Sequence, residues 1–143
     1  MRPIEILLIE DNPGDARLTM EAMRESRIFN RLSVATDGAS AIEFLESREK
    51  HGEPLPDLIL LDLNLPKLNG REVLERIKTH EEWKVIPVVV LTTSSSEKDI
   101  VESYALHVNC YITKPLGFES FMEVVKHIED FWLTIVRLPR PTN

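Results

Sequence analysis

The sequence predicts an α/β domain built on a parallel β-sheet, and three observations lead to this fold. Short apolar runs alternate along the chain with segments of helical periodicity, in five β units and five α units. Most of these runs are continuous, which is typical of parallel strands that are buried on both faces. The length of 143 residues, with 43% hydrophobic and 29% charged residues, fits one globular domain.

Five apolar runs predict the strands, at residues 6–9, 31–36, 58–61, 85–91 and 110–112. Only the second run alternates, with Leu32 and Val34 on one face, so we expect that strand at an edge of the sheet. Pro87 lies near the start of the fourth run, where a strand tolerates proline.

Start signals and apolar periodicity predict the helices. Asn12 can cap a helix that begins at Pro13, with Asp15 in its first turn. The second helix follows Asp37, and Ser96 opens a pattern that resembles a capping box before the fourth. The third and fifth helices are predicted from apolar residues at helical spacing: Val73, Leu74 and Ile77, then Phe118, Phe121, Met122, Val125, Ile128 and Trp132.

Composition narrows the classes of function. The single cysteine, Cys110, excludes an intrachain disulfide framework. A formal net charge of −7 argues against non-specific nucleic-acid binding, which needs a basic face. No signal peptide is visible, and every apolar run is shorter than a membrane helix requires. We therefore expect a cytoplasmic domain with neither a nucleic acid nor a membrane as partner.

Polar residues stand directly after four of the predicted strands. Glu10 and Asp11 follow the first strand, Asp62 the third, Thr92 the fourth and Lys114 the fifth. The carboxyl ends of parallel strands share one edge of the sheet, where open α/β sheets bind their ligands. Each residue taken alone is most often a turn, a cap or a solvated charge. Their joint placement predicts a site in which all five side chains converge.

The chemistry of this set points to phosphoryl transfer with a divalent cation. Three clustered carboxylates repel one another unless one is protonated or a cation lies among them. An all-oxygen set suits Mg²⁺, and no histidine stands at a strand end to favour a transition metal. A lysine and a threonine can hold phosphoryl oxygens, and a carboxylate can form an aspartyl phosphate. Asp62, at the end of a wholly apolar strand, is the predicted nucleophile.

The chain resembles the receiver domain of two-component response regulators over residues 4–130. The matching segments are LLIEDNPGD, PDLILLDLNLPKLNGREVL around Asp62, IPVVVLTTS with Thr92, and CYITKP with Lys114. The resemblance implies the flavodoxin-like (CheY-like) fold, a five-stranded parallel sheet of order 2-1-3-4-5 with five helices on both faces. Two positions depart from the usual pattern: Glu10 replaces an aspartate, and Asn69 with Gly70 replaces an Asp-Gly turn in which asparagine tolerates a positive φ.

The resemblance also implies roles for the site residues. Asp62 would accept a phosphoryl group from a phosphohistidine of a sensor histidine kinase. Asp11 and Asp62 would ligate Mg²⁺, with the backbone carbonyl of Asn64 and with Glu10 through water; Mn²⁺ or Ca²⁺ would substitute.

The remaining roles concern the phosphoryl oxygens and the switch that follows phosphorylation. Lys114 would contact these oxygens, Thr92 would swing its hydroxyl toward them, and Tyr111 would turn inward. The peptide bond between Lys114 and Pro115 would be cis.

Three further segments, LLDLNLPK, SYALHVNCYITKP and IEDFWLTIVRLP, resemble the single-domain regulators of cyanobacterial and bacterial phytochromes. A light-regulated kinase would then be the phosphodonor. The predicted receiver spans residues 1–132. A C-terminal extension over 133–143 is too short for an output domain, so the expected role is a signalling phosphoacceptor and not an enzyme.

The last helix is apolar on more than one side. Its extra apolar residues either cover the edge strand or form a homodimer interface on the face of helix 4, strand 5 and helix 5, extended by the C-terminal segment. We expect the dimer, as this family uses that face. The predicted interface residues are Tyr104, Tyr111, Phe121, Val124, Ile128, Phe131 and Trp132.

Three other functions compete with the phosphoacceptor. A magnesium-dependent aspartyl-phosphate phosphatase usually carries its nucleophile on the first strand with a second aspartate two residues on, whereas Asn64 follows Asp62 here. A flavodoxin-like electron carrier needs a phosphate loop where Glu10 and Asp11 stand. A receiver-like interaction module without phosphorylation is disfavoured by the complete site.

Overall fold

Strands and helices alternate along the chain in the predicted order. The computed structural model describes residues 2–139, without the side chains of residues 134 and 135. The elements are β1 Ile4–Ile9, α1 Pro13–Arg24, β2 Asn30–Ala35, α2 Gly38–Lys50, β3 Leu58–Leu61, α3 Gly70–Thr79, β4 Val88–Thr92, α4 Glu97–Ala105, β5 Cys110–Thr113 and α5 Phe118–Ile128, followed by a π-helical segment Glu129–Ile135.

The five strands form one parallel sheet in the order β2-β1-β3-β4-β5, which confirms the predicted topology. Strands β3 and β4 are buried along their whole length, whereas β2 is half-exposed at the edge. β4 begins after Pro87 and not at Val85, because proline has no N–H to donate to the neighbouring strand. Val85 is exposed before the strand.

Side-chain caps start four of the helices. Asn12, Asp37 and Ser96 each accept a hydrogen bond from a backbone N–H three residues on, as expected at helix N-termini. Asn69 caps α3 in the same way at a φ of −69°, so this position does not use the positive φ that asparagine tolerates. The positive φ in this loop belongs to Lys67.

Helices cover both faces of the sheet, and each face has its own apolar core. On one face α2 and α3 pack Ala41, Ile42, Leu45, Val73, Leu74 and Ile77 against the sheet. On the other, α1 and α5 contribute Ala16, Ala22, Met23, Phe121, Val125 and Ile128. Among the described residues, no helix is both long and apolar enough to cross a membrane.

Some of the residues predicted for the dimer interface belong to the core. Phe121, Ile128 and Trp132 are buried in the cluster shared with α1 and the sheet, and Ile128 and Trp132 also line an apolar groove beside β5, so their place in a dimer interface stays a prediction. Their burial follows from α5 and the π-helical segment lying along β4 and β5. Phe131 is 51% exposed. In the predicted extension, Leu133 is buried, and residues 140–143 lie outside the described residues.

The first residue of α3, Gly70, packs against the loop that carries Asp62. A Cβ at Gly70 would lie 2.6 Å from the Asp62 carbonyl oxygen. We expect Gly70→Ala to lower the free energy of unfolding by about 1–3 kcal/mol, because the loop must shift to admit a methyl group. Urea unfolding measures the change. Gly14→Ala is the matched control, because its Cβ meets only the Asn12 side chain, at 3.3 Å. Equal losses in both variants would contradict the close-packing argument.

Candidate phosphoacceptor site

Three carboxylates meet at the carboxyl edge of the sheet. Glu10 and Asp11 follow β1, Asp62 follows the neighbouring β3, and one oxygen of each lies within 4.8 Å of the others. The Asp62 N–H donates to the carbonyl of Ile9 (3.0 Å), which fixes Asp62 beside β1. Glu10 and Asp62 are buried and Asp11 is exposed, so the cluster opens to solvent on one side. This donor set suits a hard divalent cation.

Lys114 places its buried ammonium directly among these acids. Its Nζ donates to Glu10 Oε1 (2.5 Å), Asp62 Oδ2 (2.9 Å) and Asp15 Oδ2 (2.9 Å). The sequence predicted the first two neighbours, but it assigned Asp15 only to the first turn of α1. The contact between Asp15 and Lys114 was not predicted, because it depends on the first turn of α1 lying over the end of the sheet that Lys114 reaches.

The two buried carboxylates differ in pKa. Burial raises the pKa of Glu10 to about 7, although the hydrogen bond from Lys114 opposes this. Burial also acts to raise the pKa of Asp62, but hydrogen bonds from the Asn64 N–H, the Lys114 ammonium and the Thr92 hydroxyl lower it on balance. Asp62 therefore stays ionised, as a nucleophile must be, while Glu10 is the acid that takes up a proton near neutral pH.

Thr92 reaches the site from the end of β4, where it is fully buried. Its Oγ1 accepts a hydrogen bond from Nδ2 of Asn64 (3.3 Å), which also donates to Thr93 Oγ1 (3.2 Å). The Asn64 backbone N–H donates to Asp62 Oδ1 (3.0 Å). The Asn64 side chain thus ties the loop after Asp62 to the end of β4, a contact that the sequence did not indicate.

Tyr111 lies half-buried on β5 and faces the loop between β4 and α4. Its hydroxyl donates to the carbonyl oxygen of Ser94 (2.9 Å), and its ring packs against the core on that side of the sheet. Tyr111 is therefore already turned inward, on a strand two places away from β3, the strand that Asp62 follows.

The expected cis bond between Lys114 and Pro115 is absent, so that expectation was wrong; the bond is trans. The Lys114 N–H donates to the carbonyl of Thr92 (2.6 Å), which continues the pairing of β4 with β5 by one residue. This pairing directs the lysine side chain over the sheet edge without a cis bond.

An open cleft of about 390 Å³ lies beside the acid cluster. It is lined by Asp11, Leu63, Asn64, Leu65, Pro66, Asn69, Arg71 and Asp99. The exposed carboxylate of Asp11 forms part of this wall, so a phosphodonor and a cation can both approach the site from the cleft.

Comparison with known proteins agrees with this geometry. The family model of the response regulator receiver domain matches residues 6–126. The response regulator Rcp1 of a Synechocystis species is 50% identical over 138 residues, which is 96% of this chain and 94% of Rcp1. The probable methanogenesis regulatory protein FilR2 of Methanothrix harundinacea is 45% identical over 139 residues, which is 97% of this chain and 90% of FilR2.

Solved structures show the same likeness. The Mn²⁺-bound form of Rcp1 superposes with a TM-score of 0.92 at 50% identity, covering 96% of this chain and all (100%) of that one. The phosphorylated cyanobacterial phytochrome response regulator RcpA gives a TM-score of 0.92 at 48% identity, covering 97% of this chain and 100% of that one. These matches show that this chain belongs to the response regulator receiver family. The acid cluster, the buried lysine and the parallel sheet of this chain agree with that assignment.

Proposed function

We propose that this chain is a phosphoacceptor that receives a phosphoryl group on Asp62 from a phosphohistidine of a sensor histidine kinase. The observation that carries the proposal is a buried carboxylate with a lowered pKa, held by a buried lysine beside an open cleft. An Asp62 oxygen forms the new P–O bond while the P–N bond breaks. The electron pair of the P–N bond stays on the imidazole nitrogen.

The side chains around Asp62 would stabilise the transferred group. Lys114 and Thr92 both contact Asp62 in the resting protein, so their ammonium and hydroxyl donors are within reach of phosphoryl oxygens. Asp15 is a partner of Lys114 outside the proposed metal ligands, and it can keep the ammonium in place when Glu10 and Asp62 turn to other ligands.

Mg²⁺ is the ion we assign to the acid cluster. Asp11 and Asp62 would ligate it, with the Asn64 carbonyl and with Glu10 through water; Mn²⁺ and Ca²⁺ would serve as substitutes. The oxygen-only donor set favours a hard cation, and the related Rcp1 structure is a Mn²⁺-bound form. The bound ion would neutralise charge on the phosphoryl oxygens.

The proposed donor is a phytochrome-type histidine kinase. The support is the similarity to RcpA, described as a cyanobacterial phytochrome response regulator, and to bacteriophytochrome response regulators at 39% identity. FilR2, named for methanogenesis, is nearly as similar, so overall identity alone does not select the kinase. Phosphotransfer from a light-driven kinase in red and far-red light tests this assignment directly.

Two of the alternative functions, the phosphatase and the interaction module, are less well supported. A phosphatase of the aspartyl-phosphate type would use a second carboxylate two residues after the nucleophile, and Asn64 instead donates its amide to Thr92 and Thr93. An interaction module without phosphorylation would have no need of an ionised Asp62 contacted by Lys114.

We also propose a homodimer through α4, β5 and α5. Tyr104 and Phe131 are exposed on this face, and Tyr111 and Val124 are half-buried. An apolar groove of about 280 Å³ lies on the same face, between β5, α5 and the π-helical segment. A second copy of the chain that buries Phe131 would cover this groove.

Phosphorylation of Asp62 is tested with acetyl phosphate and Mg²⁺, followed by intact mass. We expect the wild-type protein to gain one phosphoryl group and Asp62→Asn to gain none, because the amide is not a nucleophile. Glu43→Gln, a change of the same kind on the exposed side of α2, is the matched control and should be labelled like the wild type. An unlabelled wild-type protein, also with a cognate kinase, would favour the interaction module.

Metal binding should depend on pH through Glu10. Its pKa in the folded protein is raised from 4.5 to about 7, so the metal-free fold loses stability as pH rises through that interval. Protons compete with Mg²⁺ below pH 7, and we therefore expect a larger rise in Tm with Mg²⁺ at pH 8 than at pH 6. At a hundredfold excess over Kd the rise should be roughly 5–10 °C.

Differential scanning calorimetry measures these shifts, with Asp11→Asn as the variant that should lose most of the response. A rise in Tm that is the same at pH 6 and pH 8 would contradict the role of Glu10.

The dimer is tested at Phe131, because Trp132 is buried and a change there would disturb the core. We expect Phe131→Glu to weaken self-association about tenfold or more, since it places a charge in an apolar contact. Phe29→Glu is the matched control at a similarly exposed position between α1 and β2. Sedimentation equilibrium that shows the same association for wild type and Phe131→Glu would exclude this face.

A further inference from the structure

A charged bridge joins α3 to α4 at the rim of the phosphorylation cleft. Nη1 of Arg71, in the first turn of α3, donates to Asp99 Oδ1 (3.1 Å) and to Glu102 Oε2 (2.5 Å), both on α4. Arg71 and Asp99 also line the cleft beside Asp11 and Asn64. The bridge is partly exposed, so it contributes little to the free energy of unfolding. Its role is to fix the position of α4 relative to α3.

The bridge continues into the loop between β4 and α4. The second oxygen of Asp99, Oδ2, accepts a hydrogen bond from the Ser94 hydroxyl (2.5 Å). Ser94 is also held by its backbone, because its carbonyl accepts from the Tyr111 hydroxyl (2.9 Å) and its N–H faces Thr92 Oγ1 (3.5 Å). Ser94 therefore connects the bridge to the residue that contacts Asp62.

Few apolar contacts hold α4 in place. Ser103 is the buried residue of this helix, and its hydroxyl has no hydrogen-bond partner among the described residues. Val101 and Tyr104 are exposed, at 66% and 49%. Because apolar burial contributes little here, polar contacts must fix the position of α4 and of the loop that precedes it.

We propose that Arg71 is a positioning residue for phosphorylation, which it supports by holding Ser94, through Asp99, so that the Thr92 hydroxyl stays beside Asp62. This inference rests on the proposed function. It assigns a role to a residue that lies outside the acid cluster and that contacts neither Asp62 nor Lys114. Without the bridge the loop samples other positions, and only the fraction with Thr92 in place reacts efficiently.

The experiment compares rates of phosphoryl uptake from acetyl phosphate with Mg²⁺, and the affinity for beryllofluoride, an analogue of the phosphoryl group. We expect Arg71→Ala and Ser94→Ala each to lower both quantities about three- to tenfold, with Tm unchanged within error. The double variant should be no worse than the single variants, because both changes break one connection. Glu102→Ala removes the other partner of Arg71 but leaves the connection to Ser94, so it should behave like the wild type.

The outcomes separate the two proposals. A wild-type protein that neither gains a phosphoryl group nor binds beryllofluoride would overturn the proposed function and this inference together. A reactive wild type with an equally reactive Arg71→Ala would overturn the inference alone. Losses that add in the double variant, or an equal loss in Glu102→Ala, would also overturn it, since Arg71 would then not act through Asp99 and Ser94. Recovery of part of the rate in Arg71→Lys would support it.

Discussion

The buried ammonium of Lys114 is the interaction on which the rest of the site depends. It joins the end of β5 to Glu10 after β1, to Asp62 after β3 and to Asp15 on α1. Two buried carboxylates at one edge of a sheet would repel strongly without it, and removal of one member of such a buried ionic group costs about 3–5 kcal/mol. The lysine is thus a structural counter-ion before it takes part in any chemistry.

The two buried acids around the lysine differ in pKa, because Asp62 accepts further hydrogen bonds from the Asn64 N–H and the Thr92 hydroxyl. Asp62 accepts enough hydrogen bonds to stay ionised in spite of burial. At Glu10 the effect of burial is larger than that of the hydrogen bond, and its pKa rises to about 7. A metal-free site therefore holds a proton on Glu10 and a charge on Asp62 near neutral pH. A divalent cation bound at this site would displace that proton, which would link the binding of metal to the pH.

Periodicity and strand-end positions predict most of the fold and the acid cluster from the sequence. These signals are local, and the parallel sheet converts them into a shared edge where Asp62 and Lys114 meet. Asp15 was missed because its role depends on where a turn of α1 lies above the sheet. Trp132 was assigned to a dimer because an apolar stripe does not reveal whether it faces the chain's own sheet or a second copy. Asn69 illustrates a third limit, since a helix cap and a tight turn favour the same residue types.

The contacts of Ser94 explain how phosphorylation of the buried Asp62 can change the structure at the protein surface. Thr92 is adjacent to Asp62, Ser94 follows it in the loop, and Tyr111 reaches back from β5 to the Ser94 carbonyl. β5 and α4 carry the face that we propose for the dimer, and α4 is the helix with the least apolar burial. A phosphoryl group on Asp62 that bound the Thr92 hydroxyl would change the contacts of the loop between β4 and α4. The other partners of this loop lie on α4 and β5. Weak packing of α4 then favours transmission, because an element held by few polar contacts moves at small energetic cost.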